Sequence, residues 1–333
     1  MRHGTCLPPL LAVLLAGVCS VHPGETKSVD YPIQTIAGGG LKLTVYLPDA
    51  QKGYYRGPRF DWSGMVARAE YKDHAFFADW RTPHNPANWE HGIGPAEEFS
   101  MEDPPGYKEA KVGETYMKIG VGLLKKESAA AYAFYKANPI VKPGVWNVTS
   151  GDDWMEFQQE LIGREHACQY IKRIAIAKGG AFTIAHTLKN VGGKPIATTH
   201  YAHNFIVIDD APVGPDYKLT FAFDCAIAQK TGTVQVEVKD KQFSFLQPLA
   251  DKATLWVLLK GGGFTDKDNR VVVENAKAGA GLRIIGDQIG IKYVVYAEKT
   301  AVCPEVFVRF ELNPTDEATW TTRYELFLSA GEK

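Results

Sequence analysis

From Tyr170 to the end of the chain, short β-type runs recur at roughly ten-residue spacing, the rhythm of an all-β sandwich or barrel. The runs cover residues 171–176, 182–188, 197–208, 217–223, 233–238, 242–245, 254–259, 270–274, 282–285, 291–297, 306–312 and 322–328. Glycine, proline and asparagine punctuate them at 178–180, 190–195, 209–215 and 261–263. Ile171-Lys172-Arg173-Ile174-Ala175-Ile176 and Thr233-Val234-Gln235-Val236-Glu237-Val238 alternate as half-buried antiparallel strands do. No βαβ rhythm is visible. Gly38-Gly39-Gly40 and Gly261-Gly262-Gly263 lack phosphate-loop lysines and dinucleotide spacing, so they are turn glycines. The expected fold class is therefore all-β, a sandwich or barrel forming one domain over residues 21–333. One stretch has helical composition, 126–136, where Ser128-Ala129-Ala130-Ala131 suits a short helix or a small-residue turn between two strands. The Pro-, Gly-, Trp- and His-rich segment from Tyr54 to Tyr107 reads as a long ordered loop over a sheet face.

The chain has 333 residues, 45% hydrophobic and 23% charged, which suits a globular protein with a substantial core. Its net charge is −1, and no basic run interleaves with aromatics, so no nucleic-acid partner is expected. Arg2 and His3 precede an apolar stretch from Leu10 to Val18 and small residues at Cys19-Ser20, the pattern of a signal peptide over residues 1–20. The expectation is export to the periplasm or medium, with lipid anchoring at Cys19 as the alternative. The apolar run is too short to be a stable transmembrane segment, which needs about 20 apolar residues. Cys168, Cys225 and Cys303 follow the signal segment at wide spacing. They permit one disulfide but no disulfide framework, and no pair has zinc-ligand spacing.

Two segments place ionisable groups among apolar neighbours. In Thr198-Thr199-His200-Tyr201-Ala202-His203-Asn204-Phe205, strand alternation puts Thr199, Tyr201, His203 and Phe205 on one face and His200 and Asn204 on the other. Ala301-Val302-Cys303-Pro304-Glu305-Val306-Phe307 sets a carboxylate in a similar context. His203 could equally be a core histidine bonded to a carbonyl, and Glu305 a solvated edge residue. His200 is expected to be structural. A flat His-x-x-His strand does not readily co-ligand a metal, so no metal is assigned.

With Glu305 about a hundred residues after His203, the chain resembles the aldose 1-epimerase (galactose mutarotase-like) superfamily. The resemblance also rests on the order of Tyr55-Arg56-Gly57-Pro58-Arg59-Phe60-Asp61-Trp62-Ser63-Gly64, Gly94-Pro95-Ala96-Glu97-Glu98-Phe99, Lys118-Ile119-Gly120-Val121-Gly122 and Leu188-Lys189-Asn190-Val191-Gly192. It implies a β-supersandwich that binds a small sugar or oligosaccharide on a concave face, with no cofactor. It also implies a mechanism in which Glu305 takes the anomeric hydroxyl proton and His203 protonates the ring oxygen. Such chemistry needs one base and one acid near neutrality. Partial burial raises a glutamate toward that range, and histidine begins there.

The family's usual Gly-Arg and His-x-His-Gly-Gly segments have no clean match. His91-Gly92-Ile93-Gly94-Pro95-Ala96-Glu97-Glu98 puts carboxylates where a cation is expected. Arg56, Arg59, Glu97, Glu98, Lys118 and Tyr201 are the expected substrate-binding set. Ion pairing of the arginines and a solvated turn at Glu97-Glu98 are the structural alternatives. Four functions stay open: aldose 1-epimerase-like isomerase, lyase or epimerase on the same scaffold, non-catalytic sugar-binding module, and structural envelope β-sandwich.

Overall fold

The computed structural model describes Met1 and residues 30–263 and 265–329. The expected signal segment lies outside the described residues apart from Met1. Two large antiparallel sheets dominate the chain from Tyr31 onward. The first has ten strands, in the order Val236–Lys239, Gln242–Phe245, Tyr217–Phe221, Arg270–Asn275, Ala280–Gly286, Glu317–Leu328, Ala181–Asn190, Ala167–Ala177, Trp154–Ile162 and Trp146–Ser150. The second has six, in the order Ala226–Thr231, Leu255–Lys260, Lys292–Glu298, Ala301–Leu312, Ile196–His203 and Ala96–Phe99. A four-stranded sheet (Ile33–Gly38, Leu41–Tyr46, Met65–Tyr71, His74–Phe76) and a three-stranded one (Thr115–Lys118, Gly122–Lys125, Ile140–Pro143) flank them. No α-helix occurs among the described residues, and none is long and apolar enough to cross a membrane.

The expected all-β sandwich is what forms, and its cause is visible in the alternation. In Ala181–Asn190 the buried positions are Phe182, Ile184, His186, Leu188 and Asn190, every second residue. The main core draws Phe157, Ile174, Phe182, Ile184, Val257, Val295, Val302 and Tyr324 into one contiguous cluster. Burying side chains of this size contributes about 1.5–3 kcal/mol each relative to exposure, so matched apolar faces fix the register.

The structure refines four of these readings. Residues 126–136 form no helix; they join the paired strands Gly122–Lys125 and Ile140–Pro143. Tyr132 packs on Tyr107 and Tyr116 while Phe134 lies over Arg59. Side chains two apart reaching one underlying face suit extended chain, not a helix. The 54–107 segment is not wholly loop, since it contains the strands Met65–Tyr71, His74–Phe76 and Ala96–Phe99. The run expected over 197–208 ends as a strand at His203, because Phe205 takes φ 40° before Ile206 bridges to Val302. All three described cysteines are buried free thiols, so the permitted disulfide does not form.

Candidate functional site

The strand Ile196–His203 pairs with Ala301–Leu312 through His200↔Val308 and Thr199↔Arg309. Continuing that register brings His203 opposite Glu305, and the side chains meet: His203 Nε2 lies 3.2 Å from Glu305 Oε1. On its other side the strand pairs with Ala96–Phe99, with Tyr201 opposite Glu98 and Ala202 opposite Glu97. Residues opposite one another in an antiparallel pair share a face. The six-stranded sheet is therefore chemically two-sided. Glu98, Tyr201, His203 and Glu305 lie on the outer face, while Glu97 and His200 lie on the face turned toward the ten-stranded sheet.

The outer face is organised by Glu98, whose side chain is fully buried. Arg59 Nε donates to Glu98 Oε2 at 2.8 Å, and Tyr201 Oη donates to the same oxygen at 2.6 Å. Arg59 Nη2 donates to Tyr201 Oη at 2.7 Å. Lys118 Nζ donates to Glu98 Oε1 at 3.0 Å and to the Phe99 carbonyl at 2.7 Å. Burial alone would raise the Glu98 carboxyl, but Lys118 and Arg59 overcome it and hold it below its ordinary value. The same burial lowers Lys118 despite its glutamate partner.

Beside this ionised cluster, the His203–Glu305 pair is poised differently. Burial pushes Glu305 up to about 8, with Arg59 opposing. Burial, reinforced by the Arg59 charge, lowers His203 well below the ordinary imidazole value. The His203 ring stacks on Phe205 at 4.0 Å and meets Tyr296 and Phe60 edge-on. At neutral pH these shifts leave the Glu305 carboxyl protonated and the His203 imidazole neutral.

An aromatic cover lies above. The Arg59 guanidinium sits 4.2 Å from the Phe134 ring and 5.4 Å from Trp89, and those rings meet edge-on. Outside that cover runs an open cleft of 520 Å³ whose lining includes Arg56, Asn85, Asn88, Trp89, Tyr135 and Asn138. Arg56 is thus at the cleft, donating to the Gln51 carbonyl, rather than in the buried cluster with Arg59.

The inner face holds a second cluster. Lys172 Nζ lies 2.6 Å from Glu97 Oε2 and 3.7 Å from Asp61 Oδ2. His186 Nε2 lies 2.9 Å from Glu97 Oε1, and His200 Nε2 lies 3.8 Å from it. Burial raises the Glu97 carboxyl, yet His186 and Lys172 overcome it and bring it far below the ordinary value. Burial takes His200 down to about 3 against the pull of Glu97. Gly120 closes against this cluster at φ 81°, where a Cβ would sit 2.8 Å from the Asp61 carboxylate.

Of the expected residues, Arg59, Glu98, Lys118, Tyr201, His203 and Glu305 converge on the outer face. Glu97 turns to the inner face, and Arg56 stands apart. Glu97-Glu98 is no solvated turn: Glu97 is 1% exposed and Glu98 0%. Sequence reasoning missed Lys172 and His186. Their signal is parity, since each lies in phase with the buried residues of its strand, Tyr170 and Ile174 for one, Ile184 and Leu188 for the other.

No protein-family model matches the chain, and no curated protein matches it. Among solved structures, it is similar to the Slr1438 protein of Synechocystis sp. PCC 6803 (TM-score 0.56, 9% identity, 92% of this chain and 100% of that one). It is similar to a GalM/aldose epimerase homologue from C. elegans (TM-score 0.53, 12% identity, 90% and 100%). A galactose 1-epimerase from Lactobacillus acidophilus NCFM gives a TM-score of 0.50 at 8% identity, over 89% and 94%. The likeness is one of architecture, and the chain has the galactose mutarotase-like β-sandwich fold.

Proposed function

We propose that the protein is a sugar-acting enzyme of aldose 1-epimerase type, with His203 and Glu305 as its acid/base couple. The observation that carries this reading is the contact of an imidazole and a carboxyl group 3.2 Å apart on one sheet face. Ring opening at an anomeric carbon needs one group to give a proton and another to take one. With Glu305 raised to about 8 and His203 lowered, the carboxyl is the donor and the imidazole the acceptor at neutral pH. That is the reverse of the roles the family resemblance implies. Arg59 orients the site through Glu98 and Tyr201. The cleft along Trp89, with its amide side chains, suits a saccharide, whose C–H face stacks on aromatic rings while amides meet its hydroxyls. We further place the protein outside the cytoplasm, which fractionation of a tagged full-length chain tests.

Exchange NMR on hexoses and pentoses is the direct test. Interconversion of anomers is expected to run faster than the spontaneous rate, and Glu305→Gln or His203→Ala to lower the acceleration by about 10²–10⁴-fold. An unaccelerated rate for every sugar refutes the epimerase. The direct His203–Glu305 contact favours a second reading, recognition without turnover, because it leaves no gap for an anomeric carbon. Sugar binding without turnover supports that module. A new ultraviolet band from an unsaturated product identifies a lyase on the same scaffold.

A further inference from the structure

We infer that Glu97, His186 and His200 form a binding site for one divalent transition-metal ion of the zinc type, between the two large sheets. It is separate from the outer couple and does not depend on the sugar reading. Linear spacing hides this set, because its members come from three strands: Ala96–Phe99, Ala181–Asn190 and Ile196–His203.

The geometry comes from register. Lys172, His186 and Trp320 are cross-strand neighbours on one face of the ten-stranded sheet. Glu97 and His200 descend onto them from the opposing sheet. One ligand atom from each of Glu97, His186 and His200 lies within 4.8 Å of the others. Imidazole nitrogens and carboxylate oxygens bind zinc at about 2.0–2.2 Å, so two ligands of one ion stand at most about 4 Å apart. Sub-ångström movement therefore closes the set. Two imidazoles with one carboxylate suit borderline transition metals rather than calcium or magnesium.

A second observation points to a missing partner. His200 Nε2, 3.8 Å from Glu97, and His186 Nδ1 are buried with no hydrogen-bond partner, while the Glu97 oxygens are taken by Lys172 and His186 Nε2. Buried polar atoms are normally satisfied. Asp61 and Glu97 both face the ammonium of Lys172. Lys172 holds Glu97 Oε2 and so turns Oε1 toward the imidazoles, the orienting part that partners of a ligand carboxylate play in metal sites. Trp320 stacks on His186 at 4.7 Å and fixes its ring plane. A cavity of 40 Å³ reaches His200 from a rim that includes Asp287 and Gln288. It is large enough for water, which needs about 10–15 Å³.

The test uses the full chain, stripped with a chelator and titrated with Zn(II) and with Co(II). The expected result is stoichiometric uptake, with Co(II) ligand-field bands and a thermal shift that grows with free metal. Glu97→Gln strands Lys172 and can unfold the protein, so His200→Gln and His186→Gln, which leave no stranded charge, are the decisive variants. Both are expected to keep the wild-type circular dichroism and lose the Co(II) bands. Bands that persist in both variants overturn the inference. So does a chelator-stripped chain that takes up neither Zn(II) nor Co(II).

Discussion

The His203–Glu305 couple makes a prediction about stability versus pH whose sign follows from proton counting. Glu305 has its folded value raised from 4.5 to about 8, so its contribution is complete below 4.5 and is lost as pH climbs to about 8. His203 is lowered from 6.5, so its burial weakens the fold as pH falls below 6.5. Between 4.5 and 6.5 the unfolded chain carries one proton on the imidazole and the folded chain carries one on the carboxyl. The pair then contributes no slope. Above 6.5 the unfolded chain carries none and the folded chain still carries one, so stability falls by about 1.4 kcal/mol per pH unit. From 6.5 to about 8 the loss is about 2 kcal/mol. With a urea m-value of about 3 kcal/mol/M, the midpoint drops by about 0.7 M. In Glu305→Gln the fall above 6.5 disappears, because no proton is retained there. The difference between wild type and variant is expected to decline steadily from about pH 4.5 to about pH 8. Parallel urea titrations over that range measure it. Curves for the two proteins that keep a constant separation would refute the raised Glu305 carboxyl.

Other outcomes follow from the same structure. Glu98→Gln leaves Arg59 and Lys118 facing a neutral amide inside the protein, and calorimetry is expected to show a loss of about 3–5 kcal/mol. Gly120→Ala forces an L-residue to φ 81° against the Asp61 carboxylate, and the same measurement is expected to register a loss above about 1 kcal/mol. In a chain beginning at His22, thiol titration is expected to find Cys168, Cys225 and Cys303 unreactive when folded and all reactive in denaturant. Trp89→Ala is expected to weaken saccharide binding in the outer cleft without unfolding, read by titration calorimetry.

The strand rhythm after Tyr170 was legible because each half-buried strand announces its own period. Alternation also separated Tyr201 and His203 from His200, as the two clusters require. Register was not legible. That His203 would face Glu305, or that Glu97 would reach Lys172 and His186, depends on pairings between strands many residues apart, which local pattern does not encode. Most strands between Tyr71 and Trp154 have only three to five residues and lie among prolines and glycines, so turn signals masked them. The segment around Ser128–Ala131 left helix and turn both open because helix propensity is a weak preference, and the neighbouring aromatics decide its course by packing. Glu97-Glu98 read as solvated because adjacent carboxylates usually are; only the cations waiting on both sides of the sheet make their burial stable.

The strand Ala96–Phe99 is four residues long and lies at the margin of its sheet, hydrogen-bonded to one neighbour. Gly94 and Ser100, just beyond its ends, take φ 61° and 49°, so the ribbon is bent at each end. Peeling it away uncovers Arg59 and Lys118 in one direction and Lys172 in the other in a single event. The sheet's narrow selvage is thus a common seam, since displacing it takes Glu98 from Lys118 and Glu97 from Lys172 together.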